Sequence, residues 1–236
     1  MQLLFILLSL TIQEKLDKSD YIYNNRHEEE VNLMDSKILL DEVLEEESGN
    51  EEALWQLSRL YYALGDETTD KNQKIEYYEK GQKMAEDLIK LNNNNPEGHF
   101  WLGVNLGRIG QVRGVMKSLS LVPTIRREFE KALELDPEHT GAMDGLAVLY
   151  YELPGLFGGN LNKSLEYLNK AIVVDSNYAI IYVDFAKVYM KRKEYDKAEN
   201  YLNKMLSIKN PTHPADFYIK DKAEAMKLLE EIQKHK

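Results

Sequence analysis

The chain is poor in the residues that build covalently or metal-held folds. Among its 236 residues there is no cysteine, which excludes disulfide frameworks, Cys-ligated zinc, iron–sulfur clusters, thiol catalysis and thioether lipidation. Proline occurs only six times. Five of the six (Pro96, Pro137, Pro154, Pro211, Pro214) fall at breaks between apolar-periodic segments, and Pro123 is expected to open a segment. Strand-type alternation of β-branched residues is absent, and beyond residue 12 no stretch is long and apolar enough to span a bilayer. An excess of basic charge is missing too. With 30 Lys and Arg against 40 Asp and Glu, a formal charge of −10, the chain repels polyphosphate, and nucleic acid is not an expected partner.

What remains is a globular inventory, 43% hydrophobic and 30% charged, rich enough in apolar residues to build a core. Residues 3–12, LLFILLSLTI, form an almost unbroken apolar run. It has the length of a signal-peptide h-region and falls short of the ~20 residues of a spanning helix. It begins directly after Met1 and is followed by the polar stretch QEKLDKSD, but no Lys or Arg precedes it. Two readings stay open, an export-signal-like leader and a core segment. The expected organisation is a leader at 1–12, a polar lead segment at 13–30, and a helical repeat domain at 31–236 closed by a terminal helix. The expected location is exported, periplasmic, or held at a membrane only through an uncleaved leader, with the cytoplasm as the alternative.

From Glu28 onward the pattern is helical. Four first helices carry an apolar-then-small dipeptide: Leu57-Ser58, Leu102-Gly103, Leu146-Ala147 and Phe185-Ala186. Each is followed, four positions after its first member, by Tyr61, Leu106, Tyr150 or Tyr189. Counted from Ala179, the residues Tyr182, Phe185, Ala186, Tyr189, Tyr195, Ala198, Leu202 and Met205 fall at positions 4, 7, 8, 11, 17, 20, 24 and 27. That is the 34-residue tetratricopeptide frame. Small residues at positions 8 and 27 let paired helices approach, and larger apolar residues interlock with the next pair. The expected fold is all-α, a tetratricopeptide-type helical-hairpin solenoid of about four helix pairs with flanking helices. Residues 31–47 would supply half a leading pair and 215–235 a polar-faced cap. The anchors are 45, 44 and 39 residues apart, so the first three repeats exceed the frame. The excess is expected as loops near 65–73, 111–123 and 153–159 that crowd one rim.

The stretches GHFWLGVNLGRIGQVRGVMKSLSLVPTIRREFEKALELDPEHTGA and LYYELPGLFGGNLNKSLEYLNKAI resemble a divergent tetratricopeptide group. It includes bacterial proteins similar to the T-component of tripartite ATP-independent periplasmic (TRAP) transporters and the eukaryotic regulator-of-microtubule-dynamics proteins. The resemblance covers roughly residues 31–230. It implies a non-enzymatic helical protein, exported in the bacterial branch as an accessory to uptake of small organic acids. Transporter T-components are lipid-anchored through an amino-terminal Cys, which this chain lacks.

Little in the chain suggests chemistry. None of the five histidines forms an HExxH or His-x-His pair, and glycines 103, 107, 110 and 114, spaced 4, 3 and 4, match no phosphate-binding motif. No nucleophile–base pairing is indicated, so neither an enzyme, a metal site nor a cofactor is expected. The unusual feature is charge. From Gly98 to Arg127 there is no acid, while Arg108, Arg113, Lys117, Arg126 and Arg127 add five positive charges. Such an island either binds a small organic anion or a peptide carboxylate, or pairs with the acidic segments 28–47 and 128–138. His99, Trp101 and Asn105 lie on the same stretch and join the candidate binding residues. Leu156 and Phe157 join them from the Leu153–Gly159 loop, which is read as a fixed turn tucking both side chains inward, with an apolar finger as the alternative. Two functions are carried forward: a scaffold holding a protein or peptide partner in a groove, such as a transport-system component, and an extracytoplasmic binder of a small organic anion or apolar ligand.

Overall fold

Short polar side chains decide where most helices begin. The structure, a computed structural model, describes residues 10–235. At α1 (Ile12–Asn24) the Thr11 hydroxyl accepts the Glu14 amide at 3.2 Å, and the Glu14 carboxylate accepts the Thr11 amide at 2.8 Å, a reciprocal capping box. Asn32, Asn50, Asp70 and Asn95 cap α2 (Leu33–Glu46), α3 (Glu51–Glu67), α4 (Lys71–Leu91) and α5 (Pro96–Arg113) through side-chain oxygens. Helix α6 (Val115–Leu135) follows after the single residue Gly114. His139 Nδ1 caps α7 (Thr140–Glu152) and Asn160 caps α8 (Leu161–Val174). Then come α9 (Ala179–Lys191), α10 (Tyr195–Leu206), a short turn with a π turn at Phe217–Asp221, and α11 (Lys222–Gln233). Among the described residues there is no strand. The chain divides into two compact units, residues up to Leu135 and residues from Asp136, and within each unit consecutive helices pack as hairpins.

Among the described residues the amino-terminal unit contains three complete hairpins. Its first is completed by α1, which begins at Ile12, the last residue of the expected leader, and otherwise occupies the stretch expected as a polar lead at 13–30. Leu16 and Tyr23 of α1 share a core with Leu33, Leu40 and Val43 of α2. Ile22 is buried too, but polar contacts take up part of the α1 interface: buried Lys15 sits 2.8 Å from Glu42 and 2.6 Å from Glu46, and the Ser19 and Ser36 hydroxyls are 2.8 Å apart. An amphipathic reading misses such a face because part of it is not apolar. Of the apolar run at 3–12 only Leu10, Thr11 and Ile12 are described, so the leader reading otherwise lies outside the described residues. No described helix is long and apolar enough to cross a membrane.

Two of the three expected loops are helix. The excess around 65–73 and 111–123 lengthens α3, α4, α5 and α6 to 17, 21, 18 and 21 residues, joined by Thr68–Asp70 and by Gly114. Pro123 lies inside α6 rather than opening a segment. Its ring is exposed, on the side where a missing backbone hydrogen bond is met by water. Only the third insertion is a true loop. Close approach within a hairpin shows at Gly65, where a Cβ would stand 2.3 Å from the Tyr78 ring, and at Gly103, where one would stand 2.6 Å from the Phe129 ring.

In the carboxy-terminal unit, Ala179, Tyr182, Val183 and Ala186 of α9 bury against Ala198, Leu202 and Met205 of α10. Phe185 and Tyr201 stack with ring centroids 4.3 Å apart. Ala225, Leu228 and Ile232 of α11 close this core, while Met226 stays exposed.

Candidate functional site

Helix α3 carries Trp55, Arg59, Tyr62 and Asp66 at spacings of 4, 3 and 4, which places them on one face. The Arg59 guanidinium lies 3.9 Å from the Tyr23 ring centroid and 4.8 Å from that of Trp55, and it donates to Asp20 at 2.6 Å. One turn on, Arg108 of α5 lies 5.1 Å from the Tyr62 ring and donates to the Tyr62 hydroxyl at 2.9 Å and to Asp66 at 3.2 Å. Tyr78 donates to the other Asp66 oxygen at 2.7 Å, and burial first, then that bond, pushes its phenol up from its ordinary value. The Tyr62 ring is 5.8 Å from Trp101, whose Nε1 donates to Glu97 at 3.0 Å. Guanidinium groups stacked on aromatic rings thus tie α1, α3 and α5 together, each contact contributing ~0.5–1 kcal/mol or more where water is excluded. Beside Arg108, Gly107 is bare: a Cβ added there meets no described atom within 4 Å.

The remaining cations of the island are dispersed. Arg113 donates to Glu79, and Arg127 donates to Glu128 at 2.7 Å. Lys117 is exposed near the start of α6, and Arg126 is half-buried. The carboxylates meeting Arg108 and Arg113 come from α3 and α4 rather than from residues 28–47. Asn105 has an internal task. Its Nδ2 donates to the Trp101 carbonyl at 2.9 Å and to the Ser58 hydroxyl at 3.1 Å, and Ser58 donates to the Gly81 carbonyl at 2.8 Å. A Cβ on Gly81 would stand 2.5 Å from the Asn105 side-chain oxygen, so Asn105 packs three helices.

His99 and Arg127 do come together. They border an open cleft of about 410 Å³ between α4, α5 and α6, with Glu86, Lys90, Glu128 and Lys131 around it. His99 Nδ1 is 2.7 Å from the Glu128 carboxylate and Nε2 is 3.1 Å from the Asn93 carbonyl. The ring is thereby held between α6 and the turn that precedes α5. Glu128 thus meets Arg127 with one oxygen and His99 with the other, while Lys90 lies 3.3 Å from Asp87 and Lys131 lies 2.8 Å from Glu134.

In the carboxy-terminal unit the Leu153–Gly159 loop is a fixed turn, but it does not tuck inward. The Phe157 and Gly159 amides donate to the Pro154 carbonyl at 2.8 and 3.1 Å, and the Asn160 amide donates to the Tyr150 carbonyl at 2.7 Å. These bonds consume the inner backbone and leave the apex outside, so Leu156 is 90% exposed and Phe157 49%. Deeper in the same unit, Asp184 accepts from the Tyr151 hydroxyl at 2.8 Å and lies 3.4 Å from Lys187. Asp144 is buried beside it, with one oxygen that has no hydrogen-bond partner among the described residues. Burial first, then the Asp184 charge, pushes the Asp144 carboxyl well up; burial and Asp216 push Asp221 up to about 7.

The sequence profile of regulator of microtubule dynamics proteins 1–3 matches residues 15–156, more than half of the chain. The chain belongs to the regulator of microtubule dynamics family. A tetratricopeptide repeat profile matches residues 179–212. Regulator of microtubule dynamics protein 1 of Bos taurus is 25% identical over 211 residues, covering 82% of this chain and 64% of the relative. The Mus musculus protein 1 is 25% identical over 198 residues, covering 76% and 62%. The chain therefore spans less than two thirds of the length of these relatives. Among solved structures, a thermophilic TPR protein of Thermus thermophilus superposes with a TM-score of 0.68 at 16% identity, covering 92% of this chain and all of that one. The type IV pilus biogenesis factor PilW gives 0.59 at 13% identity, covering 95% of this chain and 91% of that one. These likenesses show the fold, a tetratricopeptide-type arrangement of helical hairpins.

The stretch matched to the regulator family contains the whole α3–α5 face and the His99 cleft. Sequence reasoning found Arg108, His99 and Arg127 but missed Tyr62, Asp66, Arg59 and Glu128. The only sequence trace of the first three is the 4, 3, 4 spacing on α3. Asp144 and Asp184 were missed as well, being acids set among apolar residues of α7 and α9.

Proposed function

We propose that this family member is a non-enzymatic interaction scaffold, and that a peptide segment of a protein partner lies along the outward face of α3 and α5. The observation that carries this reading is the bare backbone at Gly107 beside the Tyr62–Arg108 contact. A helix-interior glycine costs ~0.5–1 kcal/mol relative to alanine, and no described neighbour requires this one. A partner backbone or side chain approaching α5 closely supplies the reason. The tetratricopeptide fold suits such a role because first helices offer half-buried aromatic and polar side chains to an extended or helical peptide. Relatives named for regulating microtubule dynamics make cytoskeletal proteins the first partners to test.

An enclosed site for a small organic anion has less support. The cleft beside His99 is open, and the Arg127 and His99 groups that would meet an anion are engaged by Glu128.

The test is Gly107→Phe. The new ring enters open space, so the melting temperature should hold within a degree or two, while a partner captured by the wild-type chain and titrated as purified protein should bind at least tenfold more weakly. Unchanged affinity in the folded variant would remove the α3–α5 face as the binding surface.

A further inference from the structure

We propose that the Leu156–Phe157 turn of the carboxy-terminal unit is a membrane-surface anchor, whose apex enters the interface of a bilayer containing anionic lipid. Three observations converge on it. The apex is apolar and outward, with Leu156 90% exposed and Phe157 49% exposed, whereas large aliphatic side chains normally shed water. The backbone beneath is already fixed. Gly158 adopts φ 91°, and a Cβ on Gly159 would stand 1.7 Å from the Leu153 carbonyl oxygen, so the turn presents these side chains without first being ordered.

The third observation is the charge at its base. Lys191 donates to the Tyr151 carbonyl, directly after the Tyr150 carbonyl that receives the Asn160 amide, and Arg192 donates to Asn162 just past the turn. Lys163 lies 5.3 Å from the Tyr150 ring, and Lys193 is exposed next to Arg192. Four cations thus gather at the foot of the apex against three carboxylates, Glu152 and Glu194 at 3.8 Å from Lys191 and from Arg192 respectively, and Glu166 one helical turn from Lys163. From Leu153 to Lys163 there is no acid. An apolar tip ringed by a net positive collar complements a bilayer interface, where acyl chains receive the tip and anionic headgroups receive the cations. A convex tip suits a soft surface better than a protein pocket, which would need a matching cavity. The proposal is independent of the α3–α5 face, which lies in the other unit.

The experiment uses the full chain with phosphatidylcholine vesicles, with and without phosphatidylserine. Co-sedimentation is expected mainly with phosphatidylserine, weakening as salt rises. Leu156→Ser with Phe157→Ser should reduce binding at least ~tenfold, and Lys163→Glu with Lys193→Glu should abolish the preference for anionic lipid. Because the chain has no cysteine, Leu156→Cys takes a single environment-sensitive dye, whose emission should shift to the blue only with phosphatidylserine vesicles. That readout separates insertion of the turn from adhesion through any other segment. An unshifted dye, or vesicle binding indifferent to the Ser pair, overturns the proposal. So does a Ser pair that loses a soluble protein partner while keeping vesicle binding.

Discussion

Residues 1–135 carry 16 Lys and Arg against 25 Asp and Glu, and residues 136–236 carry 14 against 15. Yet the nearly neutral unit is the one that buries carboxylates against each other. In the amino-terminal unit the buried cations described above face carboxylates: Lys15 with Glu42 and Glu46, and Arg59 with Asp20. In the carboxy-terminal unit Asp144 sits against Asp184, and Asp221 near Asp216, with Lys187 shared between Asp184 and Glu224. Net charge therefore says little about internal electrostatics. The acidic unit compensates its interior with ion pairs, and the neutral one with protons, so the second should respond to pH near neutrality.

The comparison breaks most sharply at His99. Glu128→Ala takes away the carboxylate that the buried His99 Nδ1 meets at 2.7 Å and should destabilise the amino-terminal unit by about 1–3 kcal/mol, read by urea denaturation. His99→Phe combined with Glu128→Leu should recover most of that loss; a double variant as unstable as the single one would show that the pair is not the cause. In the other unit the same kind of deletion should have the opposite sign. Asp144→Asn supplies the neutral form without a proton and should stabilise by roughly 1–2 kcal/mol at pH 8, with little effect at pH 4.

The unmodified chain offers a third measurement. A carboxyl whose folded pKa is raised is neutral in both states below its unfolded pKa, so its stability contribution is greatest there and falls as pH climbs through the folded pKa. For Asp221 that window runs from 3.8 to about 7, and Asp144 shifts in the same direction. The carboxy-terminal unit should melt several degrees lower at pH 8 than at pH 5. A flat or opposite profile would mean that the cluster is ionised and solvated. The smallest effect belongs to Gly107→Ala, expected to stabilise by about 0.5–1 kcal/mol. A loss there would place an undescribed neighbour against α5.

The hairpin frame was legible because it is written in side-chain size. Ala186, Ala198, Leu202 and Met205 occupy the packing positions that a 34-residue count assigns them, and Asn and Asp caps mark the helix starts. Helix α1 was hidden, since two of its five buried residues are Lys15 and Ser19. The lengthened α5 and α6 were hidden for the reverse reason: extra helical turns and a loop of the same length look alike where no Gly or Pro cluster separates them, and a surface proline such as Pro123 is tolerated mid-helix. The site was legible in part. A run free of acid pointed to Arg108, His99 and Arg127, but their partners Asp66 and Glu128 lie 42 and 29 residues from Arg108 and His99 in sequence, a distance that periodicity does not register. The Leu153–Gly159 composition specified a tight turn without saying which way its apex points.

Gly114 carries a consequence for the order of folding. It is the whole connection between α5 and α6, two helices of 18 and 21 residues. Loop-closure entropy rises with loop length, and contacts close in sequence form fastest. The α5–α6 pair should therefore be structured in the rate-limiting transition state of the amino-terminal unit. Phe129→Leu, which loosens the ring over Gly103, is expected to act mainly by slowing refolding, whereas the same loss of stability at Leu40 is expected to speed unfolding.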